Sequence, residues 1–174
     1  MKNRLIKRAA AIIMAAALCM IITVMFYGCA SDRAGAGCRE ILDACRNIAP
    51  EGSFDTMACY GEDIYDDSFD NLYGIQYEDI SDGAILYTEE GGLADEISIV
   101  RMKNNEDISI AKQKLQDRIE SRRKTFAGYK PEEVRKLDNA IVMVQGNYTA
   151  LIISDNNDEF EAEIRCVISE KNQQ

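Results

Sequence analysis

Ala9 to Gly28 carry no charge, and four basic residues, Lys2, Arg4, Lys7 and Arg8, stand in front of them. Ile12, Ile13, Leu18, Ile21, Ile22, Val24, Met25 and Phe26 make the run strongly apolar. As a helix it has the roughly 20 residues needed to cross a hydrocarbon core of ~30 Å. A buried core helix fits poorly, because such a helix is rarely so uniformly apolar behind a basic block. The run is therefore expected to be a signal peptide or membrane anchor over 1–28. The basic end should stay cytoplasmic, which sends everything after Cys29 outward.

Phe26-Tyr27-Gly28-Cys29-Ala30-Ser31 follows the apolar run. A small residue before a cysteine at that place resembles a bacterial lipobox, in which the cysteine becomes lipidated after cleavage. Gly28 and Cys29 fit the motif; Phe26 and Tyr27 depart from its usual residues. Lipidation at Cys29, an uncleaved single span and ordinary cleavage all remain open. The expected location is the cell membrane, facing outward and lipid-anchored or single-pass. Cys19, inside the run, reads as a small hydrophobe.

Residues 29–37, small, polar and Gly-containing, read as a tether. Residues 38–174 then read as one domain. Without the first 28 residues the chain keeps 16 basic and 30 acidic residues. An excess of acid this large disfavours nucleic acid as the partner. The chain has no histidine at all, which removes the usual general base near neutral pH and the commonest metal ligand.

Cys38, Ile41, Leu42, Cys45 and Ile48 share one face at helical spacing, ahead of Pro50. Residues 53–60 are ambiguous. Residues 62–73 suit a short acidic helix stopped by Gly74. Ala84–Thr88 and Glu96–Met102 read as strands on either side of Gly91-Gly92. Ile108, Ala111, Leu115, Ile119 and Phe126 then form the stripe of a long helix. Asn104-Asn105 offers its N-cap and Gly128 its C-terminal cap, and Arg122, Arg123 and Lys124 suit its negative end. Pro131–Val134 opens a further short turn. Two strand-forming runs flank Gly146-Asn147 as a tight hairpin. A last helix follows Asp155-Asn156-Asn157, with Phe160, Ile164, Val167 and Ile168 on its apolar face. The fold expected is α+β: an antiparallel sheet built from two strand pairs, packed with about four helices and preceded by the N-terminal hydrophobic helix.

Several short stretches, in this order, carry a family likeness. They are Leu72-Tyr73-Gly74-Ile75 ahead of acidic residues, Ala94-Asp95-Glu96-Ile97, Phe126-Ala127-Gly128-Tyr129 and Pro131-Glu132-Glu133-Val134. Gly146-Asn147-Tyr148 and Leu151-Ile152-Ile153-Ser154-Asp155 complete the series. Over roughly residues 40–168 the chain resembles the domain of unknown function 4358 family. That resemblance implies a small, outward-facing bacterial domain, usually with a lipoprotein signal. The family brings no established activity, so no residue inherits a catalytic role.

Charge is polarised along the chain. No Lys or Arg lies between Arg46 and Arg101, where 14 acids fall, whereas Arg101 to Lys136 holds 11 basic and six acidic residues. A solvated acidic face, pairing between the two segments, and a hard-cation site on Glu62, Asp63, Asp66, Asp67 and Asp70 all fit. The spacing is not that of an EF-hand loop. Glu62-Asp63 and Asp66-Asp67 could also hold paired carboxylates for hydrolysis, which needs a cleft that sequence does not reveal.

No Ser-His-Asp or Cys-His arrangement can be built without histidine, and neither a Walker A loop nor Gly-x-Ser-x-Gly is present. Cys38 and Cys45 stand about 10 Å apart on one helix and cannot pair, while Cys59–Cys166 or Cys45–Cys59 bridges stay open. Tyr60, Tyr65, Phe69, Tyr73, Tyr77 and Tyr87 crowd the acidic half, as core rim or as a ligand surface. The expectation is an outward-facing binding or scaffold module for an envelope protein or ligand, with no catalysis, cofactor or metal. A sensor domain using segment 62–70 is the alternative, and a carboxylate-dependent hydrolase the third reading.

Overall fold

The computed structural model describes residues 35–89 and 92–173, apart from the side chains of Asp67 and Ser68. The apolar run and Cys29 lie outside the described residues, so the signal helix and the lipidation site are not placed by it.

Ile80–Tyr87, apolar or small apart from Asp82, form a long strand, β2, and Glu96–Met102, whose charged members are Glu96 and Arg101, form β3. They run antiparallel, with Ala84 opposite Ile99 and Leu86 opposite Ile97. β4 (Ile141–Gln145) and β5 (Tyr148–Ile153) make the expected hairpin around Gly146-Asn147. The two pairs join edge to edge, because β5 lies along β3 with Ala150 opposite Ile99. A fifth strand, β1 (Thr56–Cys59), extends the sheet beyond β2. The order is β1-β2-β3-β5-β4. This corrects the expectation of a sheet made of two strand pairs. β1 comes from the ambiguous stretch 53–60: its four residues show no alternation, and only pairing to β2 makes them a strand.

Helices cover both faces of the sheet. α1 (Cys38–Ile48) and α5 (Asn157–Lys171) pack Ile41, Leu42, Phe160, Ile164 and Ile168 onto Ala84, Leu86, Ile97, Ile99, Ala150 and Ile152. α2 (Asp63–Tyr73) and α3 (Ile108–Tyr129) pack Tyr65, Phe69, Leu115 and Phe126 onto Ala58, Ile85, Val100, Leu151 and Ile153. A short α4 (Val134–Asp138) leads into β4. With helices on both sides the central strands are apolar on both, which is why β5 is buried at every position.

Local chemistry sets the ends of these elements. α2 stops at Gly74, whose φ of 61° and ψ of 27° are left-handed, a conformation that costs glycine little. α3 does not stop at Gly128 as its sequence suggests. It runs on to Tyr129 and ends ahead of Pro131, which disfavours helix in the residue before it. α1 begins after Gly37, which has no side chain to cap it. The Cys38 N–H donates instead to Asp82 Oδ2 at 2.8 Å, a carboxylate delivered by β2 to the positive helix end. Tyr148 Oη donates to the Ala36 carbonyl at 2.7 Å and Ala36 is buried, so packing begins inside the segment read as tether.

The crowded aromatics of the acidic half are largely core. Tyr65, Phe69 and Tyr73 are buried in sequence along α2, with ring centroids 4.8 and 5.2 Å apart. Tyr65 lies so close over β2 that a Cβ on Gly83 would sit 1.9 Å from its Oη. Glycine at 83 is what lets α2 approach the sheet.

Candidate functional site

Two arginines interrupt the apolar stripe of α3. Arg118 and Arg122 fall one turn apart among Leu115, Ile119 and Phe126, on the side that faces the sheet. Beneath them β3 presents Glu96, whose side chain is 2% exposed. Glu96 shares its strand face with Val100 and Met102, so alternation directs its carboxylate into the α3 layer.

Three hydrogen bonds and one further ion pair hold that carboxylate. Arg118 Nε donates to Oε1 at 3.3 Å and its terminal nitrogen to Oε2 at 2.9 Å. Arg122 reaches Oε2 at 3.0 Å. Tyr73 Oη, from α2, donates to Oε1 at 2.8 Å. The guanidinium of Arg118 lies 5.5 Å from the Tyr73 ring and that of Arg122 lies 5.2 Å from the Phe126 ring. Each ring adds a cation–π contact to its arginine.

Burial by itself would raise the Glu96 carboxyl. Arg118 first, then Arg122 and the hydrogen bonds from Arg118 and Tyr73, outweigh it and hold the group below its ordinary value. Glu96 therefore stays ionised and has no proton to give. A depressed folded pKa contributes stability that is present above the unfolded value and is lost as pH falls through the folded one. Glu133 is lowered too, through the Ala94 N–H and Lys136 acting against burial, whereas burial raises Asp95 and opposes the trend. Urea midpoints should accordingly drop as pH is taken from about 5 to about 3. A flat profile would contradict an ionised, clamped Glu96.

Above this cluster opens a cavity of about 310 Å³, between α2, α3 and the β1–β2 side of the sheet. Its floor is Tyr73, Glu96, Arg118 and Arg122, its walls include Ile64, Leu72, Ile85 and Tyr87, and Thr88 and Glu89 also line it. Ile64 is 63% exposed and Leu72 38%, large apolar side chains left uncovered. The arginine side chains are 15% and 18% exposed. Arg122 Nε is buried without a hydrogen-bond partner, while one of its terminal nitrogens reaches the Leu93 carbonyl at 3.3 Å.

The acids singled out by density lie elsewhere. Glu62 pairs with Arg39 and accepts the Cys59 N–H at 2.8 Å. Asp66 accepts the Gly61 N–H at 3.1 Å, and Asp70 accepts from the Gln76 amide at 3.1 Å. Asp63 is exposed in the first turn of α2, and the side chain of Asp67 lies outside the description. Glu62, Asp66 and Asp70 lock the turns at either end of α2, and none of the three lines the cavity. Among the described residues no group of three or more His, Cys, Asp or Glu could hold a metal ion.

Pairing between the acidic and basic segments occurs at Asp82–Arg101, 3.9 Å apart, at Asp95–Lys136, 2.6 Å apart, and at Glu96. Glu51, Glu62, Asp63, Asp66, Asp70, Glu78 and Glu89 form an exposed acidic surface. Cys38, Cys45, Cys59 and Cys166 are free, so neither candidate bridge is formed. Burial, then Glu163, pushes the Cys45 thiol up to about 12. Burial and then Asp82 raise Cys38, which leaves both thiols inert at neutral pH.

The sequence did signal the Arg118–Arg122–Glu96 site. Two cations one turn apart on a buried stripe, and a carboxylate inside a strand of Ile and Val, each need a partner. The density of the acidic segment drew attention away from its last member. Neither a curated protein nor a solved structure matches the chain. The family described as a domain of unknown function (DUF4358) matches residues 61–154. That span leaves out α1, β1 and α5 but holds every cavity residue named above. With more than half of its length matched, the chain belongs to the DUF4358 family.

Proposed function

We propose that this chain is a membrane-tethered, outward-facing binding module of the bacterial cell envelope, with the cavity between α2 and α3 as its binding site and no catalysis. The observation that carries the reading is the cavity itself. It combines uncovered apolar walls, Ile64 and Leu72, with two fixed guanidiniums above one saturated carboxylate. Concave, mostly apolar sites with a few placed polar groups are where small ligands bind.

The chemistry favours binding over turnover. Glu96 is ionised and already paired, a guanidinium offers only donors, and the sequence contains no histidine. The basic block and apolar run ahead of Cys29 support the tether. Among the described residues no helix is long and apolar enough to cross a membrane.

Two measurements test the two halves. Cys29→Ala should abolish metabolic fatty-acid labelling if the tether is a lipid; unchanged labelling refutes lipidation there. For the cavity, native mass spectrometry of the purified full chain should show a small molecule that leaves on denaturation and is missing from Ile64→Asp. Finding none, together with no response to the amino-acid probes described next, would sink the binding reading.

A further inference from the structure

We propose that the cavity between α2 and α3 takes a zwitterionic amino acid with an apolar side chain, its carboxylate on Arg118 and Arg122, its ammonium toward Glu89 and its side chain against Ile64 and Leu72. The proposal rests on reading this cavity as a binding site and names the ligand class.

The floor carries one positive charge in surplus. Two guanidiniums face one carboxylate, and both oxygens of Glu96 are already engaged, by hydrogen bonds from Tyr73 and Arg118 and by the ion pair with Arg122. Glu96 is 2% exposed, so what the floor offers to an incoming group is guanidinium. Among the described residues the Arg122 Nε donor has no acceptor of its own. A guanidinium already paired with Glu96 and set beside Tyr73 or Phe126 is ordered in advance, so little freedom is lost when it meets a second carboxylate.

The lining adds the opposite charge. Glu89 is exposed, and among the described residues its carboxylate accepts one long bond, from Thr56 Oγ1 at 3.3 Å. A bare anion would meet that carboxylate and the field of a chain with formal charge −10. A zwitterion carries no net charge, answers the floor with one end and Glu89 with the other, and avoids both penalties. At about 310 Å³ the cavity is at the small end of ligand sites, which suits one residue better than an extended peptide. Ile64, Leu72 and Ile85 then select an apolar side chain, because a polar one would be desolvated there without a partner.

Three probes separate the charges: L-leucine, N-acetyl-L-leucine, which lacks the ammonium, and L-leucinamide, which lacks the carboxylate. Titrated calorimetrically into the detergent-solubilised full chain, L-leucine should bind, and each blocked form should bind at least about ten-fold more weakly, as expected for loss of one charge-assisted contact. Ile64→Asp should abolish L-leucine binding. Ile110→Asp, at another exposed apolar position outside the cavity, should leave it intact. Equal or tighter binding of N-acetyl-L-leucine would overturn the zwitterion and leave a simple anion site. If no probe binds but the purified chain releases some other molecule that Ile64→Asp lacks, the ligand class falls and the binding reading stands.

Discussion

Arg118→Ala should destabilise the domain by about 3 kcal/mol, read as a lowered urea midpoint at an unchanged m-value. Arg118 supplies two of the four contacts to Glu96, and its guanidinium covers the Tyr73 ring. Without it a carboxylate that is 2% exposed keeps only Arg122, at 3.0 Å, and the Tyr73 hydroxyl, at 2.8 Å. Breaking a buried pair from one side is costly because the surviving charge cannot reach water; the second arginine holds the loss to the lower part of the range. Removing the whole charged cluster, in Arg118→Met/Glu96→Met/Arg122→Met, should recover much of the stability, since hydrophobic replacement of a complete buried ion pair or triad is often neutral. A triple variant no more stable than Arg118→Ala would mean that Arg118 acts through packing rather than charge.

The second large effect is expected on the other side of the same strand entry. Lys136→Met should cost about 3–5 kcal/mol at neutral pH. Lys136 is placed between two buried carboxylates, 2.6 Å from Asp95 and 3.2 Å from Glu133. The three side chains are only 7 to 12% exposed. Glu133 retains the Ala94 N–H at 2.9 Å, so the loss falls mainly on Asp95. Burial already raises Asp95 while Lys136 opposes that rise, and without Lys136 its pKa climbs further. A raised carboxylate contributes stability at low pH that is lost as pH rises, so the deficit of Lys136→Met should shrink below about pH 5. A deficit constant from neutral to acid pH would contradict this account.

Much of the local structure could be read before folding. The stripe Ile108–Phe126, the apolar face of Phe160, Ile164 and Ile168, the Gly74 stop and the Gly146-Asn147 hairpin all rest on interactions within a few residues. Gly128 misled because a glycine permits a helix end without enforcing it; Pro131 enforces one. β1 escaped notice because Thr56–Cys59 is defined by its partner, with Thr56 opposite Tyr87 and Cys59 opposite Ala84. Glu96 and Arg118 are 22 residues apart, so the acidic segment showed where carboxylates were dense, not which one would be buried.

What the sequence by itself determined is the division between an apolar N-terminal run and an acidic α+β domain, along with its helices and its hairpin. Periodicity, turn chemistry and charge runs are short-range, and a linear reading recovers them. Only the tertiary structure decided that β3 runs beside β5 and that α1 and α5 cover one face while α2 and α3 cover the other. The same packing brought two arginines of α3 over one carboxylate of β3. These are choices among distant partners, settled by which apolar faces can be buried together, and the site exists only where those faces meet.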